Sequence, residues 1–360
     1  MAKAKKRFWL IIVLFLFIIY FFSAARPVPK ETVLKAQWLV PLDSDTDIKN
    51  AESTFSIPFK LGKRFGFIDT NGNFLINLVN QNKLSIAADR WSEYEAKPEV
   101  LEIRNSNEEI VEIIENPFGY PFFLDGQTYI ISSEQNALSK TNGRGSLAWT
   151  YEFASVLTCV DAAQGYVLTG SLDGTAVVLD SGGNQIFSFE PGGSRYSVIS
   201  GCAFSGDAKR FALICGIDRQ RFLLFERLGN TGGDYKIIYH EFLGNGFRRP
   251  VYISFIDRDR RVVFEHEQGL GIYEINSRKV YTIHVEGELT AIDDSGEQGQ
   301  LFVVMSQPNS DNKKLAGINL PDKLFMNAPF KTSDVFLGRL GSLLYVGGSN
   351  RIAAFELEKQ

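Results

Sequence analysis

Short apolar runs separated by small polar turns recur from about residue 62 to the C-terminus. The runs are rich in β-branched and aromatic residues and are bounded by Gly, Asn, Asp and Ser, which is typical of strands rather than helices. One layout of strand, polar turn and apolar strand recurs six times, at residues 121–132, 158–171, 203–213, 254–264, 290–304 and 336–349. The pattern predicts an all-β domain built from hairpins.

These hairpins recur with a loose period. Their second strands begin near residues 128, 166, 211, 262, 301 and 343, at intervals of 38 to 51 residues. This spacing matches a β-propeller blade of four short antiparallel strands. We therefore predict a seven-bladed β-propeller, with six or eight blades left open because the first segment is poorly patterned. The predicted blades are residues 62–115, 116–155, 156–195, 196–245, 246–285, 286–330 and 331–360.

The last of these segments is short and has room for about three strands. We predict that a strand at residues 54–61 supplies the fourth and closes the ring. Such closure removes the open sheet edge between the first and last blades, which would otherwise promote aggregation.

Three segments resemble known propeller repeats. The run GSLDGTAVVLD at 170–180 resembles the core of a WD40 blade, and SLAWTY at 146–151 resembles the end of a PQQ-like, quinoprotein-type repeat. The turn FSGDAKR at 204–210 is similar to one found in many propellers. The resemblance implies the propeller fold. Some PQQ-like propellers help to assemble outer-membrane proteins, so it also implies an envelope role. Because no Trp docking motif recurs, we expect no bound PQQ and no other cofactor.

The N-terminus carries an uncharged apolar stretch at residues 8–25, preceded by Lys3, Lys5, Lys6 and Arg7. As a helix it would be about 27 Å long, near the thickness of a bilayer core. We predict a cytoplasmic basic stub at 1–7, a transmembrane signal-anchor at 8–25, a linker at 26–50 and an extracytoplasmic propeller at 51–360. A cleaved signal peptide, with Ser23-Ala24-Ala25 as its small-residue site and a secreted product, is the alternative.

Net charge and the histidine and cysteine content bear on which ligands and bonds are expected. The formal net charge of −4 argues against a nucleic-acid partner, and the three His residues are too scattered for a zinc motif. Cys202 and Cys215 flank a predicted hairpin turn. They either form a disulfide or, with Cys159, are small buried thiols.

The strongest candidate binding residues are Phe247, Arg248 and Arg249, in a predicted connection between blades. Such connections line the rim of a propeller channel, and Arg with Phe suits an acidic or aromatic protein partner. The basic groups of Glu226-Arg227 and Arg258-Asp259-Arg260-Arg261 are expected to add to this rim. The triplet Glu265-His266-Glu267 is expected to be a solvated strand end.

Catalytic and metal-binding motifs are absent from the sequence. The first hypothesis is therefore a non-enzymatic scaffold or envelope assembly factor with protein partners and a membrane tether. The alternative is a lactonase-like propeller hydrolase with a metal in the central channel. That alternative requires Asp, Glu, Asn or His side chains to converge at the ends of the inner strands.

Overall fold

The computed structural model describes residues 2–24, 32–43, 55–229, 233–244 and 246–359. These residues divide into two units. One contains the N-terminal helix, the chain up to Lys35 and the residues from Leu357 onward, and the other contains Ala36–Glu356. The second unit holds the repeated sheets.

Helix α1 (Ala2–Ala24) begins one residue before the basic cluster and includes it, so its first two turns carry the four charges. Across the described residues, the structure contains no helix with the length and apolar character needed to cross a membrane. The predicted signal-anchor and the single-pass localisation that depended on it are therefore wrong.

Nearly all other regular structure is β-strand, apart from a 3₁₀ turn at Glu297–Gly299. In chain order the strands are β1 (Thr32–Pro41), β2 (Ser56–Leu61), β3 (Arg64–Asp69), β4 (Phe74–Val79), β5 (Lys83–Ile86), β6 (Arg90–Tyr94), β7 (Val100–Asn105), β8 (Ile110–Glu115), β9 (Gly119–Leu124), β10 (Gln127–Ser132), β11 (Ala137–Thr141), β12 (Leu147–Glu152), β13 (Leu157–Ala163), β14 (Tyr166–Ser171), β15 (Ala176–Leu179), β16 (Gln185–Phe189), β17 (Ile199–Phe204), β18 (Arg210–Cys215), β19 (Arg221–Arg227), β20 (Tyr235–Phe242), β21 (Ile253–Ile256), β22 (Arg261–His266), β23 (Gly269–Glu274), β24 (Lys279–His284), β25 (Glu288–Asp293), β26 (Gln300–Ser306), β27 (Asn312–Asn319), β28 (Lys323–Lys331), β29 (Val335–Leu340), β30 (Leu343–Gly348) and β31 (Arg351–Lys359).

In the described residues these strands form eight antiparallel sheets, so the fold is an eight-bladed β-propeller and the predicted count of seven is wrong. Blade 1 has three described strands, β2–β4. Blades 2 to 7 have four consecutive strands each, from β5–β8 to β25–β28, and blade 8 has the order β1-β31-β30-β29. The error arose in the segment 62–115, which holds strands of two blades.

The strand that completes blade 8 is β1, which pairs with β31 at the outer edge. The segment predicted to complete the last blade, residues 54–61, does not do so. Thr54 lies outside the described residues, and β2 pairs with β3 to open blade 1. Closure therefore uses a strand that begins 22 residues earlier in the chain than predicted, inside the stretch assigned to a linker.

All six hairpins predicted from the repeating pattern are confirmed. Each joins the first two strands of its blade, as in β17–β18 and β21–β22. Apolar side chains of neighbouring blades pack between the sheets. In one such core, between blades 4 and 5, Phe211 is fully buried and stacks on Phe225 at 4.4 Å between ring centroids. Inter-blade packing of this kind holds successive blades together.

The three cysteines are free thiols. Cys202 and Cys215 lie on paired strands but are not opposite each other, since Cys202 faces Leu213 and Cys215 faces Ile199. Both are buried, which confirms the buried-thiol interpretation for this pair, whereas Cys159 is half-buried. Burial raises the pKa of the Cys215 thiol to about 12.

Replacing Phe211 by Ala should lower the free energy of unfolding by about 3–5 kcal/mol, because it leaves a cavity in the core between blades 4 and 5. The measurement is urea denaturation followed by circular dichroism. Leu172→Ala is the control, because Leu172 is 53% exposed and should shift stability by about 0.5 kcal/mol or less. Equal losses in the two variants would contradict the inter-blade core described above.

Candidate functional site

The antiparallel order of the blades gives the propeller two distinct faces. In a four-stranded blade, the turns after the first and third strands lie on one face, and the turn after the second strand and the connection to the next blade lie on the other. We call these the hairpin face and the rim face. Inner strands of neighbouring blades are adjacent, as β13 is to β17 and β17 to β21.

The predicted rim residues lie on the rim face, in the connection from β20 to β21. Arg249 donates two parallel hydrogen bonds to Glu265, Nη1 to Oε2 at 3.0 Å and Nη2 to Oε1 at 2.9 Å. Its Cζ lies 4.9 Å from the ring centroid of Phe247. Phe247 and Arg249 therefore lie in one connection between blades, where they stack on each other.

Glu265 fixes the position of Arg249 from within the blade. Its side chain is only 6% exposed, against 42% for Arg249, and it also accepts the Tyr252 N–H at 2.7 Å. A buried carboxylate must be paired and hydrogen-bonded to tolerate loss of water. Arg249 and the Tyr252 amide meet that need, so the exposed guanidinium is held in one orientation by its buried partner.

A cavity of about 280 Å³ opens beside this pair. Residues of blades 6 and 7 and their connections form its wall: Phe247, Arg249, Glu265, His266, Glu267, Gly269, Gly287, Glu288, Leu289, Met305 and Pro308. Glu267 accepts the Gly246 N–H at 2.6 Å, which ties the connection to blade 6. The lining of this rim pocket therefore combines a fixed Arg and an aromatic ring with three glutamates and the apolar side chains of Leu289, Met305 and Pro308.

Arg248 does not join the pocket lining. It is exposed, next to the pocket in sequence. The basic residues expected to add to the rim lie elsewhere: Arg260 and Arg261 pair with buried Asp257 in the first turn of blade 6, on the hairpin face, and Arg227 donates to Tyr235 Oη at 2.7 Å. Their guanidinium groups stabilise the fold instead of extending the rim.

Sequence reasoning missed Glu265, which was assigned to a solvated strand end. The sequence held one indication of this role. Glu265 directly follows the apolar residues of β22, and a carboxylate that points into the core from such a position requires a cation beside it. The identity of that cation was not readable, since Arg249 lies 16 residues away in an irregular connection.

A second group of polar side chains lies on or beside the inner strands. Asp161 on β13 accepts the Phe204 N–H at 2.6 Å and the Ala162 N–H at 2.9 Å. Burial raises the pKa of Asp161 to about 6, although the two N–H hydrogen bonds lower it. The negative charges of Asp294 and Asp125 raise this pKa further. Asp294 in turn accepts the Tyr252 hydroxyl at 2.8 Å.

These acids bear on the hydrolase alternative, which requires side chains that converge to hold a metal. The carboxylates are close enough to influence one another electrostatically. Across the ranges given above, however, no three His, Cys, Asp or Glu side chains form a group that could hold a metal ion.

Comparison with known proteins agrees with the architecture. A family profile described as beta-propeller protein matches residues 1–360. An uncharacterized protein of Treponema pallidum (strain Nichols) is 25% identical over 300 residues, which are 81% of this chain and 78% of that protein.

Two solved structures resemble the fold at low identity. BamB from Moraxella catarrhalis superposes with a TM-score of 0.59 at 12% identity, covering 90% of this chain and 100% of BamB. The computationally designed Ika8 protein gives a TM-score of 0.60 at 14% identity, over 85% of this chain and 98% of the design. At such identities the likeness shows the fold alone.

Asp161 should make stability depend on pH. Its pKa is about 6 in the folded chain against an ordinary 3.8, so the folded state binds the proton more tightly and stability falls as pH rises from 4 through 6. The cost of the ionised form at pH 8 is about 3 kcal/mol. Asp161→Asn, which stays neutral, should be more stable than wild type at pH 8 and should lose this slope.

Thermal unfolding at pH 4 to 8 measures the effect. Asp180→Asn, in an exposed turn between β15 and β16, is the control and should leave the slope above pH 5 unchanged. A variant Asp161→Asn with the wild-type slope would show that this carboxyl is not the group responsible.

Proposed function

Because this chain belongs to the β-propeller protein family, we propose that it is a non-enzymatic scaffold that binds protein partners through the rim pocket. The observation that carries the proposal is the exposed Arg249, stacked on Phe247 and oriented by buried Glu265. Arg and aromatic side chains are the residues that most often anchor protein–protein interfaces. An anchor already held in one orientation loses little entropy when a partner binds.

The setting of the scaffold is the cell envelope. The support is the resemblance to PQQ-like propellers that help assemble outer-membrane proteins, together with a fold like that of BamB. This support comes from the fold, whereas the binding role rests on the rim pocket of this chain.

The test is capture of partners by the full chain with mutations at the rim. Phe247→Ala combined with Arg248→Ala removes the aromatic ring and the exposed neighbouring charge while leaving the Arg249–Glu265 pair intact. Arg249→Ala is a poor choice, because it would leave a buried carboxylate without its cation and destabilise the blade. We expect the double variant to recover a captured partner at about one-tenth of the wild-type level, which is a loss of about 1.4 kcal/mol in binding.

Arg258→Ala is the matched control, because Arg258 is exposed in the first turn of blade 6 on the hairpin face. It removes one charge without touching the rim. Recovery of no stable partner by the wild-type chain, or equal recovery by all variants, would refute the rim-pocket role.

A hydrolase remains the second candidate, favoured by Asp161, because a carboxyl with a pKa near 6 has the value expected of a general acid or base. Metal addition separates the two. Under the scaffold proposal, Ca²⁺, Mn²⁺ and Zn²⁺ leave the melting temperature unchanged. A rise of several degrees that Asp161→Asn abolishes would favour the hydrolase.

A further inference from the structure

A second arginine-rich surface lies on the rim face of blade 5, one blade before the rim pocket. It consists of Arg219 and Arg221, at the turn into β19, the ring of Phe242 at the end of β20, and the loop Gly192-Gly193 that leads into the blade. We call these residues the Arg–Phe patch. None of them lines the rim pocket.

The two guanidinium groups share one aromatic ring. Arg219 Cζ lies 4.4 Å from the centroid of Phe242, and Arg221 Cζ lies 5.3 Å from it. Arg221 and Phe242 are register partners on neighbouring strands, so their side chains project from the same side of the sheet. Arg221 Nη1 also donates to Gly192 O at 2.9 Å, which fixes the loop against the ring.

Neither guanidinium of the patch is neutralised within the described residues. Arg219 and Arg221 have no carboxylate oxygen within 4.0 Å there, and Arg221 Nε is buried without a hydrogen-bond partner. The neighbouring Asp218 instead accepts the Ser194 hydroxyl and the Arg195 N–H at 3.3 Å.

Four other arginines of this protein are neutralised within the fold. Arg210, Arg249, Arg261 and Arg339 each face a carboxylate in the fold. The Arg–Phe patch therefore presents two positive groups on an aromatic ring that is 43% exposed, and no carboxylate of the described residues pairs with either.

We propose that the Arg–Phe patch binds a short acidic segment of a partner polypeptide, an inference that rests on the scaffold role proposed above. The planar guanidinium of Arg219 can bind a carboxylate through paired hydrogen bonds, and stacking on the ring of Phe242 orients it. Arg221, with Nε buried and Nη1 bonded to Gly192 O, adds its charge and its remaining Nη protons. Exposed Asp218 and Glu190 lie within two residues of the patch in sequence. They would repel an extended polyanion such as nucleic acid or an anionic membrane, whereas a short peptide contacts only the arginines.

The test is fluorescence anisotropy with the full chain and two labelled peptides, Asp-Asp-Phe-Asp-Asp and its uncharged match Asn-Asn-Phe-Asn-Asn. Wild type should bind the acidic peptide and not the uncharged one. Arg219→Ala combined with Arg221→Ala should weaken binding about tenfold or more, since two charge-assisted contacts are lost. The double Lys variant should bind with intermediate affinity, because it keeps the charge but lacks the planar fork.

Arg258→Ala on the hairpin face is the control for overall charge. It should change affinity less than about twofold at 0.15 M salt, because the length of a strand, roughly 20 Å, separates the two faces and the Debye length is about 8 Å. If the double Ala variant fails to fold, the single exposed variant Arg219→Ala carries the test. Absence of acidic-peptide binding at low salt, or an equal loss in Arg258→Ala, would overturn the proposal.

Two further arms identify other ligands. Tight binding to phosphatidylglycerol vesicles that depends on Arg219 and Arg221 would assign the patch to a lipid surface and overturn the peptide assignment. The rim variant Phe247→Ala with Arg248→Ala should keep wild-type affinity for the acidic peptide. Its loss of partner capture therefore reports on the rim pocket alone, and the failure of one proposal is distinguishable from the failure of the other.

Discussion

Closure of the ring by β1 is the constraint on which the propeller depends. β1 and β31 come from opposite ends of the repeated region, yet they share one sheet. Leu42, just after β1, donates its N–H to Asn350 O at 2.9 Å and is fully buried in a core with Phe59 and Tyr345. Bringing such distant segments together costs about 5 kcal/mol of chain entropy, because the cost grows only with the logarithm of loop length. Without this pairing, β31 would be the outer edge strand of blade 8, with unpaired backbone groups along that side.

The two faces of the ring differ in how their polar groups are used. On the hairpin face, first turns of neighbouring blades are hydrogen-bonded to one another, as Gly165 N–H is to Asp125 at 3.1 Å and Gly206 N–H to Asp259 at 3.0 Å. The polar groups of these turns bond to one another and so hold neighbouring blades together. The rim face carries longer connections, such as that from β20 to β21, which bonds such as Gly246 N–H to Glu267 hold against the blades. The rim pocket and the Arg–Phe patch both lie on this face.

The arginines also differ in how their charges are paired. In the first turn of blade 6, Arg261 pairs with Asp257 and Glu274 and is largely buried, so its charge is neutralised within the blade. Arg249 also has a carboxylate partner, but it keeps one side open to solvent beside Phe247. Arg219 and Arg221 stack on Phe242 without a carboxylate in the described residues. The position of an arginine in the sequence does not show whether its charge is neutralised, partly open or unpaired with a carboxylate. The burial of the side chain and the partner beside it determine this.

Local patterns were enough to identify the strands, the hairpins and the approximate repeat. Alternation and turn residues act over a few positions, so all six predicted hairpins, including β17–β18, were readable from the chain. The blade count, the closing strand and the partner of Glu265 were decided by the tertiary structure. An edge strand such as β1 buries only part of its surface and therefore carries a weak hydrophobic signal. The pairings of β1 with β31 and of Arg249 with Glu265 join residues that no local pattern connects, and only packing brings them together.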